Sequence, residues 1–229
     1  MEALLQTSGH PLPSRQGLSD AAYLQQLLDG LCELSSRDPL TGVVNRRAFM
    51  SVLSQEIDRV ARVGESALLL AVDIDHFKRI NDTHGHLAGD MVIRAVARTL
   101  QACVRPMDTV ARVGGEEFAV VLPSCPAAFG PVVAERIRAA VAETEVRHQA
   151  LTLGVTVSCG GAYAPPWVRS SLEAWLERAD RQLYLAKQAG RNRVCIEPSV
   201  VSDVSAEEKD LLYAWAQSDA LMINPADAN

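Results

Sequence analysis

Thr109-Val110-Ala111-Arg112-Val113-Gly114-Gly115-Glu116-Glu117-Phe118-Ala119-Val120-Val121-Leu122 reads as two short apolar runs joined at a pair of glycines. The composition predicts strands over Thr109 to Arg112 and Glu117 to Leu122. Gly114-Gly115 predicts the tight turn between them, open to positive φ and without side chains to shield the backbone. Working outward, Ser66 to Asp73 is a buried strand, and Leu87 to Val104 a helix leading to the hairpin. After the hairpin come a helix over Ala127 to Glu143, a strand over Leu151 to Ala162, a helix over Ser170 to Gln188 and a strand over Asn192 to Ile196. A further helix, Asn45 to Arg62, precedes them. Strand–helix–strand-turn-strand–helix–strand is the ferredoxin-like order, so the expected class is α+β, an antiparallel central sheet flanked by helices.

The ends divide from this body (37–198). Residues 1–17 carry Ser, Gly and Pro without periodicity and are expected to be flexible. Residues 18–36 are a helical linker capped by Ser19 or Asp20, with Leu24, Leu27, Leu31 and Leu34 at 3-4-3 spacing and Leu28 beside them. That stripe is either a coiled-coil seam of two heptads or a face packed on its own domain. Asp38-Pro39 ends it. Residues 199–229 form an acidic extension, six acids against one lysine, with a helix expected over Ala206 to Gln217.

Composition excludes several classes. The net charge of −6 sits almost entirely in the tail, so a broad DNA- or RNA-binding surface is not expected. The longest apolar run, Ala67 to Val72, is far short of the ~20 residues that span a bilayer. No basic, apolar-cored leader is present, and the five cysteines lack metal-ligand spacing. A reduced, cytoplasmic protein is expected. Neither a Walker loop nor a Rossmann glycine fingerprint occurs.

Two constellations carry chemistry. Val72-Asp73-Ile74-Asp75 delivers a carboxylate at the end of a buried strand, where a cation or a helix-capping role would satisfy it. Glu116 and Glu117 follow the glycine turn and, on a pleated strand, are expected to point to opposite faces. Asp73 and Glu116 together offer oxygen ligands of the kind that hold Mg²⁺ with substrate phosphates.

In order, Asp38-Pro39-Leu40-Thr41-Gly42, Asn45-Arg46-Arg47, Asp73 to Asp82, Gly85-His86, Gly89-Asp90, Gly114 to Phe118, Ala179-Asp180, Tyr184, Lys187 and Gly190-Arg191-Asn192 resemble the GGDEF family of diguanylate cyclases. The resemblance implies a palm-like nucleotidyl cyclase fold that condenses two GTP into cyclic di-GMP and two pyrophosphates. It implies two Mg²⁺ per site, with Mn²⁺ as an alternative, on Asp73, Glu116 and the Ile74 carbonyl, and Glu117 beside them. Guanine falls to Asn81 and Asp90, and the phosphates to Lys78, Lys187 and Arg191. Each subunit of a homodimer holds one GTP as a half-site, and Glu116 assists in taking the 3′-hydroxyl proton.

Five residues before the turn, Arg105-Pro106-Met107-Asp108 resembles the family's inhibitory product site, with Arg136 as the secondary arginine. Read without the resemblance, Arg105 and Asp108 are a local ion pair. No sensor domain is legible in the first 36 residues, so the input is expected from a separate protein or from chain beyond this sequence. The acidic tail has no family counterpart and is a candidate partner-binding segment.

Overall fold

The computed structural model describes residues 1–7, 11–148, 151–166 and 170–198. In chain order the elements are α1 (Glu2–Thr7), α2 (Asp20–Ser36), β1 (Val44–Asn45), α3 (Arg46–Val63) and β2 (Ala67–Ile74). There follow α4 (Phe77–His84), α5 (His86–Ala102), β3 (Thr109–Arg112), β4 (Glu117–Leu122) and α6 (Gly130–Ala142). The chain continues with β5 (Glu145–His148), β6 (Leu151–Gly154), β7 (Val157–Ala164), α7 (Leu172–Gln188) and β8 (Val194–Ile196). Residues 199–229, with the helix expected at Ala206 to Gln217, lie outside the described residues.

One sheet runs in the order β1-β3-β4-β2-β7-β8. Its four inner strands, β3-β4-β2-β7, are antiparallel neighbours in the ferredoxin-like order. The outer pairs, β1 with β3 and β7 with β8, are parallel, so the sheet is mixed rather than antiparallel throughout.

Both faces are covered, which is why β2 reads as an unbroken apolar run rather than an alternation. Leu68, Leu70, Val72 and Ile74 pack with Val92, Val96, Leu100 and Ile137 of α5 and α6. Ala67 and Leu69 face Phe49, Leu53 and Val60 of α3 and Trp175 and Ala179 of α7. Period two therefore assigns Asp73 to the α7 side. Helix α7 lies hard against β7: a Cβ at Gly160 would meet Leu183 N at 2.0 Å and Ala179 O at 2.5 Å. The Trp175 indole N–H donates to Ala162 O at 2.8 Å and anchors the helix there.

The expected strand Leu151 to Ala162 is two strands. Leu151–Gly154 turns away to pair with Glu145–His148 in a separate hairpin, and only Val157–Ala164 enters the main sheet. The expected helix from Leu87 is preceded by α4, divided from α5 by Gly85 at φ 81°. Near the N-terminus, α1 places Leu5, fully buried, with Tyr23 and Leu27 of α2, and Leu12, Leu18, Leu31 and Leu34 pack around them. Most of the α2 stripe thus packs on its own chain, leaving Leu24 and Leu28 exposed. Ser19 is the cap, its hydroxyl accepting from Ala22 N at 3.2 Å. Among the described residues no helix is long and apolar enough to cross a membrane.

Candidate active site

Pairing of β2 with β4 sets Asp73 opposite Glu117 and Val72 opposite Phe118. The Ile74 N–H donates to the Glu116 carbonyl at 3.2 Å, so the end of the apolar strand and the glycine turn meet. Asp73 is 5% exposed. Its Oδ2 lies 2.8 Å from Lys187 Nζ, a side chain carried to it by the close approach of α7. Burial pushes the Asp73 carboxyl up; Lys187 pulls it down, Glu117 and Asp75 push it up again, and the net direction is upward. Glu116 is likewise raised, first by burial and then by repulsion from Asp73, against the pull of Lys187.

Glu117 thus raises the Asp73 carboxyl, and Asp73 in turn raises that of Glu116. Glu116 lies in the bend before β4 starts at Glu117, so the strand pleat does not govern it. The glycines also serve differently from the expectation. Neither is among the positive-φ residues. Instead the Glu117 side chain folds back over Gly114, where a Cβ would stand 2.2 Å from Glu117 Oε2. Arg112 clamps the turn, donating through Nε and Nη2 to Gly115 O at 3.2 and 2.8 Å and through Nη1 to Asp38 at 3.3 Å.

A cleft of about 330 Å³ opens beside this cluster, lined by Glu117, Asp180, Tyr184, Lys187 and Arg46 among others. Asp180, which the family pattern contains without a role, lines the cleft wall. Its carboxyl is raised by burial and by Glu117, and lowered by Lys187. Its position seven residues before Lys187, on one helical face, was the available signal.

The donors suit a hard divalent cation. Two carboxylates with raised pKa share an ammonium as counter-charge, an arrangement that a cation would relieve. Among the described residues no group of three or more His, Cys, Asp or Glu side chains could hold a metal by itself. Completion by substrate oxygens fits Mg²⁺, which is ordinarily bound by one or two carboxylates plus phosphates.

The remaining expected residues divide. Asn81, in α4, has its Oδ1 buried without a hydrogen-bond partner, facing Gly89, where a Cβ would stand only 2.0 Å away. Asp90 follows Gly89 in α5, so the α4–α5 junction brings both guanine candidates together. Lys78 and Arg191 are exposed, Lys78 in the first turn of α4 and Arg191 at φ 63° in the turn after α7. Arg105 and Asp108 grip each other: Nε and Nη2 donate to the carboxylate at 3.2 and 2.9 Å, and Nη2 also reaches Pro123 O at 3.0 Å. They line a second cleft, of about 430 Å³, with Arg37. Arg136 is outside that lining, its Nη2 donating to Cys103 O at 2.6 Å.

Because folding raises the Glu116 pKa, the native state holds that proton more tightly than the unfolded chain. The associated stability is present at low pH and is lost as pH climbs from the ordinary carboxylate value through the raised one. In metal-free buffer, Glu116→Gln should therefore raise the melting temperature at pH 7 relative to that at pH 4, compared with the same difference in the parent. Glu65 and Glu135, shifted downward, are common to both proteins and cancel in the comparison. An unchanged difference would show that Glu116 feels no such repulsion.

Residues 35–193 match the family described as diguanylate cyclase, GGDEF domain. Diguanylate cyclase DgcP of Pseudomonas aeruginosa is 43% identical over 175 residues, covering 76% of this chain and 26% of that protein. Diguanylate cyclase A of Treponema denticola is 39% identical over 169 residues, covering 72% and 45%. The chain thus spans between a quarter and a half of these curated relatives. The crystal structure of the coiled coil and GGDEF domain of DgcB from Caulobacter crescentus, in complex with c-di-GMP, superposes with a TM-score of 0.72 at 33% identity, covering 85% of this chain and 98% of that one. The diguanylate cyclase SiaD of Pseudomonas aeruginosa, in complex with its activator SiaC, gives 0.71 at 37% identity, covering 76% and 66%. With more than half of its length matched, and with the strand-end aspartate and glycine turn meeting as described, the chain belongs to the GGDEF diguanylate cyclase domain family.

Proposed function

We propose that this chain condenses two GTP into cyclic di-GMP with release of two pyrophosphates, each subunit of a homodimer holding one GTP. The observation that supports this reading is the meeting of Asp73 and Glu116, both with raised pKa, at one end of the sheet beside Lys187. Asp73, Glu116 and the Ile74 carbonyl would hold Mg²⁺, two per site, or Mn²⁺. When bound, the metal neutralises phosphate charge and makes the 3′-hydroxyl more acidic.

The chain's own groups do the rest. Asp90 accepts guanine N1–H and N2–H, and Asn81 supplies a buried carbonyl oxygen with no internal partner. Lys78, Lys187 and Arg191 offset the triphosphate's charge as pyrophosphate departs. Helix α4 follows His76, an N-cap that makes no side-chain bond, so its first N–H groups have no capping side chain and can meet phosphate oxygens. Glu116 accepts the 3′-hydroxyl proton, and Glu117 keeps Asp73 basic by repulsion. Incubation with Mg²⁺ and GTP, followed by separation of products, tests the whole reading. Cyclic di-GMP with two equivalents of pyrophosphate is expected; unchanged GTP, or hydrolysis alone, would sink it.

Product inhibition at Arg105, Asp108 and Arg136 belongs to the same reading. A bound product must replace the Arg105–Asp108 pair and the Arg136 bond to Cys103, exchanging internal hydrogen bonds for contacts to guanine and phosphate. Arg105→Ala is expected to raise the inhibitory concentration of cyclic di-GMP roughly 5- to 150-fold, the span of ordinary coupling energies, without lowering the initial rate. Progress curves decide it: the parent slows as product accumulates and the variant does not. Equal slowing removes this site.

A further inference from the structure

The end of β2 presents a second carboxylate that the reaction leaves unused. Asp75 is 4% exposed. Its Oδ1 accepts from Ser158 Oγ at 2.7 Å, and its Oδ2 from Thr156 Oγ1 at 2.7 Å and from Asn192 N at 3.0 Å. Its own N–H donates to Thr156 O at 2.9 Å. Three neutral donors thus converge on one buried anion, and one of them lies 117 residues away in the chain.

That distant donor belongs to an unusual turn. Gly190, Arg191 and Asn192 have φ of 113°, 63° and 44°, three consecutive residues in left-handed geometry, two of them with side chains. For residues with a Cβ such geometry is unfavourable and persists only when the surroundings hold it. Arg191 N–H donates to Ala186 O at 3.1 Å, which closes the turn on α7. Asn192 is held on both sides, its N–H by Asp75 and its Oδ1 by Arg138 Nη1 at 2.7 Å. A hydrogen bond to an ionised acceptor is about twice as strong as a neutral one. Asp75 and Arg138 are therefore both charge-assisted fastenings of Asn192, Asp75 through its backbone and Arg138 through its side chain, beside the displayed Arg191.

We infer that Asp75 is a positioning residue: it fixes the Gly190–Asn192 turn so that Arg191 stands ready for the nucleotide's terminal phosphates, tying phosphate recognition to the strand that carries Asp73. The inference rests on the assignment of Arg191 to phosphate. It explains why the strand end carries two carboxylates two residues apart. Asp73 meets Lys187, whereas the hydrogen-bond donors on Asp75 among the described residues are uncharged.

The test measures equilibrium binding of GTP and of GMP to the full chain, so that it does not depend on turnover. Asp75→Ala should weaken GTP about tenfold, the loss of one charge-assisted hydrogen bond, and leave GMP nearly unchanged. On an Arg191→Ala background the same substitution should add nothing. Equal weakening of GTP and GMP, or a full additional loss without Arg191, would overturn the positioning role and leave Asp75 as a structural fastening. Should Asp75→Ala not fold, Asp75→Asn decides. It keeps an acceptor for Asn192 and Thr156 while the Ser158 hydroxyl reverses to accept from the new amide, and the GTP-over-GMP preference should fall about threefold; a preference equal to the parent's overturns the inference. If the parent itself binds no GTP, the proposed function fails instead, a distinct result.

Discussion

Asp73→Asn and Glu116→Gln are each expected to cut cyclic di-GMP formation to below about a thousandth of the parent rate, the scale on which preorganised charge at a transition state is lost. Both substitutions keep side-chain shape, and neither residue belongs to the apolar clusters that hold the sheet to its helices. The melting transition should therefore survive. Asp73→Asn leaves Lys187 without its partner, but that side chain is one-third exposed and water can reach it. Lys187 also separates two explanations. If the Asp73–Lys187 pair mattered only for stability, removing Lys187 would reproduce the loss seen on removing Asp73. If Asp73 serves the metal, Lys187→Ala should weaken GTP binding and yet retain measurable turnover. Substantial synthesis by a folded Asp73→Asn protein would count decisively against the assignment.

The second large effect concerns base choice. Asp90→Ser removes the acceptor for guanine N1–H and N2–H, and the preference for GTP over ATP should fall by about 1–3 kcal/mol, the cost of a buried polar group left unpaired. Gly89→Ala tests the same pocket from the other side. The new methyl would meet Asn81 Oδ1 at 2.0 Å and the Phe77 ring at 3.0 Å, so Asn81 must turn away or α4 and α5 must part. Overpacking of this kind costs about 1–3 kcal/mol, here expressed as a raised KM for GTP. Competition assays with ATP, read beside thermal melts, check both variants. Unaltered exclusion of ATP by Asp90→Ser would mean that guanine is read elsewhere.

Much of this architecture was legible in the residues. The strands Thr109–Arg112 and Glu117–Leu122 fall where the apolar runs on either side of the glycines predict them. The ferredoxin-like order followed from the alternation of runs and stripes, because a buried strand and an amphipathic helix leave different periods in a sequence. Other boundaries were not legible. Leu151 to Ala162 gives no sign that Val155-Thr156 divides two strands, since both halves are rich in strand-forming residues and only the available partners separate them. Helix α4, eight residues ended by Gly85 at φ 81°, is too short to leave a sustained apolar stripe in the sequence.

By itself the sequence determined the kinds of chemistry present: carboxylates at a strand end and past a glycine turn, basic residues on the last helix, Asn81 and Asp90 nine apart. Residue type and spacing carry that much, because local periodicity decides which side chains share a face. Only the tertiary structure decided the partners. It joined Asp73 to Lys187, paired Glu117 across the sheet from Asp73 and the Glu116 carbonyl with Ile74, left Asn81 Oδ1 without a partner, and turned Arg105 and Asp108 toward each other. It also gave Asp75 to Asn192, across 117 residues. Hydrogen bonds and charge interactions act over a few ångströms in space, and distance along the chain carries no trace of them until the sheet and helices have closed.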